Sequence, residues 1–147
     1  MANSDRIRVI FHGAVVMLVG LLCGLPTVNE EEPARLWHTA HESLILIGIL
    51  LLAMSSVLQF LVLPKREATA LVWALLATGY GLMVGLVIQG ITGEHAFSPS
   101  TNPVLMFAFI ANATGMLGSV LTASLTIMGA RGASRGSRIN SESELTP

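Results

Sequence analysis

The sequence has few charged residues, one cysteine and no strongly basic stretch. Charged side chains make up 12% of the 147 residues, against roughly a quarter in an ordinary soluble domain. The mean hydropathy of +0.70 indicates a small membrane protein with one domain. The net charge of −1 argues against a nucleic-acid partner, because no basic face remains once Lys and Arg fall in loops. Cys23 alone can form neither an intrachain disulfide nor a thiolate metal cluster.

Four apolar runs predict an all-α bundle of four antiparallel transmembrane helices. The predicted spans are about 9–25, 44–63, 68–91 and 104–128. They form one transmembrane domain over residues 1–130, and the Gly-, Ser- and Arg-rich tail over 131–147 is predicted to be disordered. Seven of the eight basic residues fall on one side of these spans. Both termini are therefore predicted to be cytoplasmic, with the protein in the inner or plasma membrane.

The stretch 37–42, Trp-His-Thr-Ala-His-Glu, lies where a charged loop meets the second apolar run. Ionisable groups are costly near hydrocarbon, so such a stretch at a helix mouth is a functional-site hypothesis. A polar lip that faces water explains the same residues equally well. His12 should differ in depth from His41 by on the order of 20 Å, so the two cannot ligate one haem within a subunit. His38 and His41 would share one side of a helix and cannot clamp opposite faces of a porphyrin.

A single imidazole would leave one iron coordination position open, as a Lewis-acid or oxygen-binding site requires. His95, on the same side of the membrane as His41, could otherwise be a second ligand. The sequence has no glycine-rich phosphate loop, nucleophile elbow or zinc-binding spacing. Uncharged polar residues inside the spans are more typical of interhelical hydrogen bonds than of catalysis. They are Gln59, Thr78, Tyr80, Gln89, Asn112 and Thr114.

Small residues recur four positions apart, which lets helix backbones approach closely. The pairs are Gly20 with Gly24, Gly81 with Gly85, and Ala111 with Gly115. Packing within the bundle and association between subunits both explain them. A bundle of this size has little interior for a bulky cofactor, so a site between subunits is the more plausible one.

Several short motifs occur in a fixed order along the four spans. They are His12-Gly13, Arg35-x-Trp37-x-x-Ala40-His41 followed by Gly48, Gly79-Tyr80-Gly81, Phe97-Ser98-Pro99 and Asn102-Pro103. In order and spacing they resemble the styrene oxide isomerase family of small four-helix membrane proteins, to which the hydroxylaminobenzene mutases are distantly similar. The resemblance extends roughly over residues 11–128.

The resemblance implies a haem b held between the subunits of a homotrimer, with His41 as the axial ligand of the iron. Trp37 and His38 are the further candidate cofactor-binding residues, and Tyr80 and Glu42 are the candidate catalytic residues. The ferric iron would act as a Lewis acid on a small hydrophobic aryl epoxide. A 1,2-hydride shift would then give an aldehyde, which is a Meinwald rearrangement. Membrane burial would supply the dry site that a carbocation-like intermediate needs. A Glu42 side chain that simply faces water is the alternative to a catalytic one.

The chain departs from the family pattern at two polar positions. The family asparagine six residues after the ligand histidine is Ile47 here, and the tyrosine expected six residues after Tyr80 is Leu86. Tyr80 itself stands where the isomerases carry tryptophan. The resemblance to the family therefore implies haem binding more strongly than it implies the isomerisation reaction. The alternatives are a non-enzymatic haem or electron-transfer protein that pairs His41 with His95 or a neighbouring subunit's histidine, a hydroxylaminobenzene-type mutase, and a membrane scaffold without a cofactor.

Overall fold

The computed structural model describes residues 3–25 and 32–143. Its helices are α1 (Asn3–Cys23), α2 (Glu32–Val57, continued by a 3-10 turn over Leu58–Phe60), α3 (Lys65–Thr92) and α4 (Pro103–Ser143). No strand occurs within the described residues, and the predicted all-α fold is confirmed. Pro26 and most of the acidic run that follows it lie outside these ranges.

Each helix contains a segment that is long and apolar enough to cross a membrane. The segments are Ser4–Cys23, Ala34–Phe60, Lys65–Thr92 and Pro103–Ser134. Many large apolar side chains on these segments are exposed, as expected where lipid replaces water. The prediction of a four-span membrane protein is thus confirmed by helix length and composition. The cytoplasmic location of both termini stays a prediction.

The connections of α3 follow from local chemistry. Pro64 immediately precedes the helix with a φ of −56°, and its ring cannot continue a preceding helix. Gly93 ends α3 in the left-handed conformation, at a φ of 70°, and donates its N–H to the Gln89 carbonyl. The side chain of Asn102 then accepts a hydrogen bond from the Val104 N–H at 3.0 Å, which caps the start of α4.

α2 begins at Glu32, well before the predicted span, which begins at residue 44. The stretch 37–42, expected at the mouth of a helix, therefore lies inside one. Ala34, Leu36 and Ala40 are buried, so the apolar stripe of α2 continues into this polar stretch at helical spacing. Average hydropathy hides such a stripe, because the charged residues between its members lower the mean.

α4 also extends further than the apolar run. A disordered tail is predicted from residue 131, whereas the structure continues the helix through Ser143. The segment after the 3-10 turn packs along this part of α4: the Val62 N–H donates to the Gly129 carbonyl at 3.2 Å. A Cβ at Gly132 would lie 2.8 Å from the Val62 carbonyl oxygen. Because an existing helix is extended at little cost, these contacts favour helix beyond the apolar run.

α3 is the central helix of the bundle. It packs on α4 along one side and on α2 and α1 along the other, while α1 and α2 form a close antiparallel pair. α3 and α4 approach closely at Gly81 and Gly115, where a Cβ on Gly81 would lie 2.6 Å from the Gly115 nitrogen. This small-residue pair therefore serves packing within one chain. The largest fully buried apolar side chains are Leu44, Leu51, Leu58, Leu71, Leu75, Val9 and Val16.

Two buried polar side chains hold the 93–102 loop onto α3 and α4. Gln89 Oε1 accepts a hydrogen bond from the Ala96 N–H at 3.2 Å. Asn112 Nδ2 donates to the Ala96 carbonyl at 3.1 Å. The backbone N–H and carbonyl of Ala96 are thus both hydrogen-bonded to helix side chains, as buried backbone groups require. Interhelical hydrogen bonds are expected of these polar residues; the bonds of Gln89 and Asn112 instead join helix side chains to the loop.

Candidate functional site

His41 is half-buried in α2 and its ring is oriented by α1. Nδ1 lies 2.8 Å from the backbone carbonyl oxygen of Gly20. A carbonyl oxygen can only accept, so Nδ1 carries the hydrogen, and in the neutral ring Nε2 keeps the lone pair. Metal-binding histidines are typically held in this way, with one nitrogen donating to a carbonyl and the other free to ligate.

Gly20 in α1 and Gly24, directly after the end of α1, make room for this arrangement. A Cβ at Gly24 would lie 2.7 Å from His41 Nδ1, and a Cβ at Gly20 would lie 2.8 Å from the Ile45 nitrogen. Both distances are shorter than real Cβ contacts, so side chains at these positions would displace the ring or separate the helices. The Gly20 and Gly24 pair, which the sequence indicates only as a packing motif, is therefore part of the site.

His41 lines a groove of about 410 Å³ together with Glu42, Ile45 and Leu46. All four residues belong to α2, and Leu46 is 66% exposed, so the groove is an open wall and not an enclosed cavity. Because Nδ1 faces α1, Nε2 is the ring nitrogen available to a ligand in this groove. A flat, bulky, largely apolar group that accepts one imidazole fits these residues, provided that a second surface covers its other face. Haem b is such a group.

Glu42 and His38 lie on the same side of α2 as His41. Their closest polar atoms, His38 Nδ1 and Glu42 Oε2, are 3.7 Å apart, and both side chains are more than half exposed. The structure thus brings Glu42 into the groove with His41, while His38 is not among the groove-lining residues. Among the described residues, no group of three or more His, Cys, Asp or Glu side chains could hold a metal ion. A site with His41 as the sole protein ligand is compatible with this result.

Trp37 points to a different part of the bundle. A Cβ at Gly90 would lie 2.8 Å from the Trp37 ring, so the indole packs on α3. The structure therefore does not place Trp37 among the residues that line the groove of His41. A glycine that admits a tryptophan ring 53 positions away in the chain gives no signal in the sequence.

Tyr80 also lies apart from His41 within one chain. Its hydroxyl is 2.6 Å from His12 Nδ1, and the two rings meet edge to face with centroids 5.4 Å apart. Both residues line a second groove, between α1 and α3. No sequence motif links these two residues. The sequence marks each residue only individually: His12 is a histidine in the otherwise apolar first span, and Tyr80 is the only tyrosine of the chain.

His12 and His41 occupy separate grooves, as expected, although they are closer in depth than predicted. His41 binds the carbonyl of Gly20, which is eight residues and about 12 Å beyond His12 along α1. The difference arises because His12 lies well inside α1 and His41 well inside α2. His95 stacks on Phe97 in the α3–α4 loop, with centroids 6.2 Å apart, and does not line the groove of His41.

The family model for styrene oxide isomerase matches residues 5–134, which cover all four membrane-spanning segments apart from Ser4. The chain belongs to the styrene oxide isomerase family. No curated protein and no solved structure matches it significantly. Membership in the styrene oxide isomerase family implies an isomerase built on membrane-spanning helices. Ile47 and Leu86, which replace polar residues of the family pattern, pack with the apolar core.

Proposed function

We propose that this styrene oxide isomerase family member is a haem b-dependent membrane enzyme that opens a small hydrophobic aryl epoxide to an aldehyde. The observation that carries the proposal is the hydrogen bond from His41 Nδ1 to the Gly20 carbonyl. It leaves Nε2 with a lone pair beside an apolar groove, which is the state in which imidazole ligates iron. One protein ligand leaves a coordination position for the substrate.

Ferric haem, when bound, would supply a Lewis acid that favours cleavage of the benzylic C–O bond of the epoxide and a 1,2-hydride shift. The chain itself supplies orientation and a dry environment. The Gly20 carbonyl fixes the His41 ring, and Ile45 and Leu46 present an apolar wall that keeps water from the reacting centre. Glu42 is the one carboxylate that lines this wall, and in this proposal it orients the substrate.

The proposal requires a second surface over the groove, and a neighbouring copy of the chain is the proposed source. All the lining residues come from α2, so the described part of one subunit covers only one face of a flat cofactor. A homotrimer in the inner or plasma membrane would close the site. Tyr80 lines a different groove of the chain from His41, so this proposal assigns Tyr80 no catalytic role.

Ile47 and Leu86 influence the choice of substrate in this proposal. Ile47 is half-buried and Leu86 is 8% exposed, and both contact the apolar core. Neither can donate a hydrogen bond to an epoxide oxygen or accept one from a substituent. The shape of the apolar surface would then select the substrate, so unsubstituted aryl epoxides are expected to react better than those with polar ring substituents.

The first test is the visible spectrum and the haem content of the purified wild type and of His41→Ala. We expect a Soret band with ferric high-spin features that changes on addition of imidazole, because one axial position is open. His41→Ala should lose the band or shift it. His95→Ala is the matched control and should keep the wild-type spectrum, because His95 lies away from the groove. Turnover of an aryl epoxide by the wild type, measured as aldehyde formed, completes the test.

Three outcomes would contradict the proposal. A wild-type protein that stays colourless after expression with ample haem would show that it does not bind haem. A low-spin spectrum that ignores imidazole and shifts in His95→Ala would favour the electron-transfer alternative. If the fully haem-loaded protein converts no epoxide in a panel of aryl and alkyl compounds, the chain binds haem but does not catalyse the proposed reaction.

A further inference from the structure

The groove between α1 and α3 is separate from the proposed haem site. It has a volume of about 620 Å³, within the usual range for ligand pockets. It shares no lining residue with the groove of His41. Its lining residues are Arg8, His12, Trp73, Leu76, Ala77 and Tyr80.

The polar pair in this groove has a hydrogen left over for a ligand. His12 Nδ1 and the Tyr80 hydroxyl are 2.6 Å apart, and this bond uses one of the two hydrogens that a neutral imidazole and a phenol carry. If the phenol donates, the hydrogen on Nε2 stays unused; if the imidazole donates, the phenolic hydrogen does. Within the described part of the chain no acceptor for it is found. A ligand that accepts a hydrogen bond would satisfy this group, which is costly to leave unpaired inside a membrane.

Arg8 places a positive charge one helical turn from that pair. It precedes His12 by four residues, about 6 Å along α1, and its side chain is exposed. Arg6, two residues earlier, donates instead to the Ser55 carbonyl and to Gln59 Oε1. No hydrogen bond or ion pair of Arg8 occurs within the described residues. Arg8 is therefore free to bind an anion at the groove.

The remaining lining suits a hydrocarbon chain near the membrane surface. Leu76 and Ala77 form an apolar floor, and Trp73, which is 62% exposed, stands at the same end of the groove as Arg8. Tryptophan is enriched at the level of lipid headgroups. The groove therefore offers a cation and an aromatic ring at one end, with an apolar floor and a single hydrogen-bond donor beyond them.

We propose that this groove binds an anionic phospholipid. The phosphate accepts hydrogen bonds from the Arg8 guanidinium, an ester carbonyl accepts the spare hydrogen of the His12 and Tyr80 pair, and an acyl chain lies along Leu76 and Ala77. In a phospholipid the charged phosphate comes first and the ester carbonyl follows it. Along the groove, Arg8 comes first and the His12 and Tyr80 pair follows it, so the two orders match. If a second copy of the chain covered this groove in place of a lipid, it would bury Arg8. It would then have to place an acidic side chain beside Arg8, since an unpaired buried charge is strongly destabilising. The proposal does not depend on haem binding.

Native mass spectrometry of the delipidated protein in detergent tests the proposal. Phosphatidylglycerol and phosphatidylcholine with identical acyl chains are added in turn, and binding per chain is measured. We expect a preference for phosphatidylglycerol that falls about fivefold in Arg8→Gln, the factor for one surface cation near an anionic lipid. Ala77→Phe fills the floor and should weaken binding of both lipids. Arg66→Gln is the matched control, because Arg66 is exposed outside this groove.

The same spectra identify the results that would overturn the proposal. Equal binding of the two lipids by the wild type would exclude recognition of the headgroup. An equal loss in Arg66→Gln and Arg8→Gln would show general attraction to the basic surface and no site. If Ala77→Phe lowers the number of chains per complex, a second copy and not a lipid covers the groove. Circular dichroism and thermal unfolding of each variant confirm that the comparison is made between folded proteins.

Discussion

The hydrogen bond that orients His41 is accepted by the backbone carbonyl of Gly20, so deleting a side chain on α1 cannot remove it directly. Gly24 offers a way to disturb it, because a Cβ there would lie 2.7 Å from His41 Nδ1. We expect Gly24→Ala to rotate or displace the ring and to weaken haem binding roughly tenfold to a hundredfold, the usual effect of losing a group that orients a metal ligand. Titration of the apoprotein with haem, followed at the Soret band, measures the change.

Gly79→Ala is the matched control for Gly24→Ala. Its added Cβ would meet only the ends of the Leu51 and Val16 side chains, at 3.0 and 3.3 Å, and these can move. It therefore tests whether any added methyl group in the bundle disturbs haem binding. Equal affinities in Gly24→Ala and the wild type would show that the Gly20 carbonyl does not position His41 for the cofactor.

At the scale of elements, the α3–α4 loop depends on a side chain from within α3. Gln89 accepts from the Ala96 N–H and donates to the Gly85 carbonyl, and Ala96 is 1% exposed. Gln89→Leu would keep the volume and leave the Ala96 N–H unpaired, at a cost of about 1–3 kcal/mol. We expect a lower midpoint of thermal unfolding in detergent and faster proteolysis within residues 93–102.

Thr92→Val is the matched control for Gln89→Leu. It also replaces a polar side chain with an apolar one near the end of α3, but it leaves the hydrogen bond between Gln89 and Ala96 in place. The Thr92 hydroxyl donates to the Ile88 carbonyl of its own helix and accepts only a long, exposed bond of 3.4 Å from the Glu94 N–H of the loop, so its loss should change unfolding far less. A Gln89→Leu variant as stable and as resistant to protease as Thr92→Val would show that Asn112 alone holds the loop.

The helices themselves were the part of the structure that the sequence could predict. Each apolar run reaches the length that a membrane requires, the first at its lower limit, and hydrocarbon forces a backbone of that composition to form helix. The start of α2 was less predictable, because Ala34, Leu36 and Ala40 form their buried stripe among charged neighbours. Hydropathy reports the average of such a segment, whereas its conformation depends on which side of the helix each residue occupies.

The candidate site was predictable only in part, and the reason is the distance between its members in the chain. His41 stands out as an ionisable residue next to an apolar run, but its partner is a backbone carbonyl, which every residue possesses. The contact between His12 and Tyr80 joins residues 68 positions apart. Such pairs arise from the packing of α1 against α2 and α3, which short motifs do not encode.

At the scale of the whole molecule, the groove beside His41 is left uncovered by the described residues of one chain. Leu46 lines the groove and is 66% exposed, and Ile49, one turn further along α2, is 50% exposed. α1 contacts the Nδ1 of His41 through the Gly20 carbonyl, but neither α1 nor α3 contributes a lining residue to this groove. If the cofactor lies between copies of the chain, as proposed, then assembly and haem retention must be lost together when this surface is altered.

Leu46→Gln tests that coupling. Glutamine has nearly the volume of leucine but must find a hydrogen-bond partner, so an apolar subunit contact at this position would be weakened. We expect smaller complexes in native mass spectrometry and a proportionate fall in haem per chain. Leu117→Gln is the matched control, since Leu117 is 71% exposed on α4 and adds the same polar group elsewhere. A Leu46→Gln variant that dissociates into single chains and still carries full haem would place the cofactor within one subunit and refute the shared site.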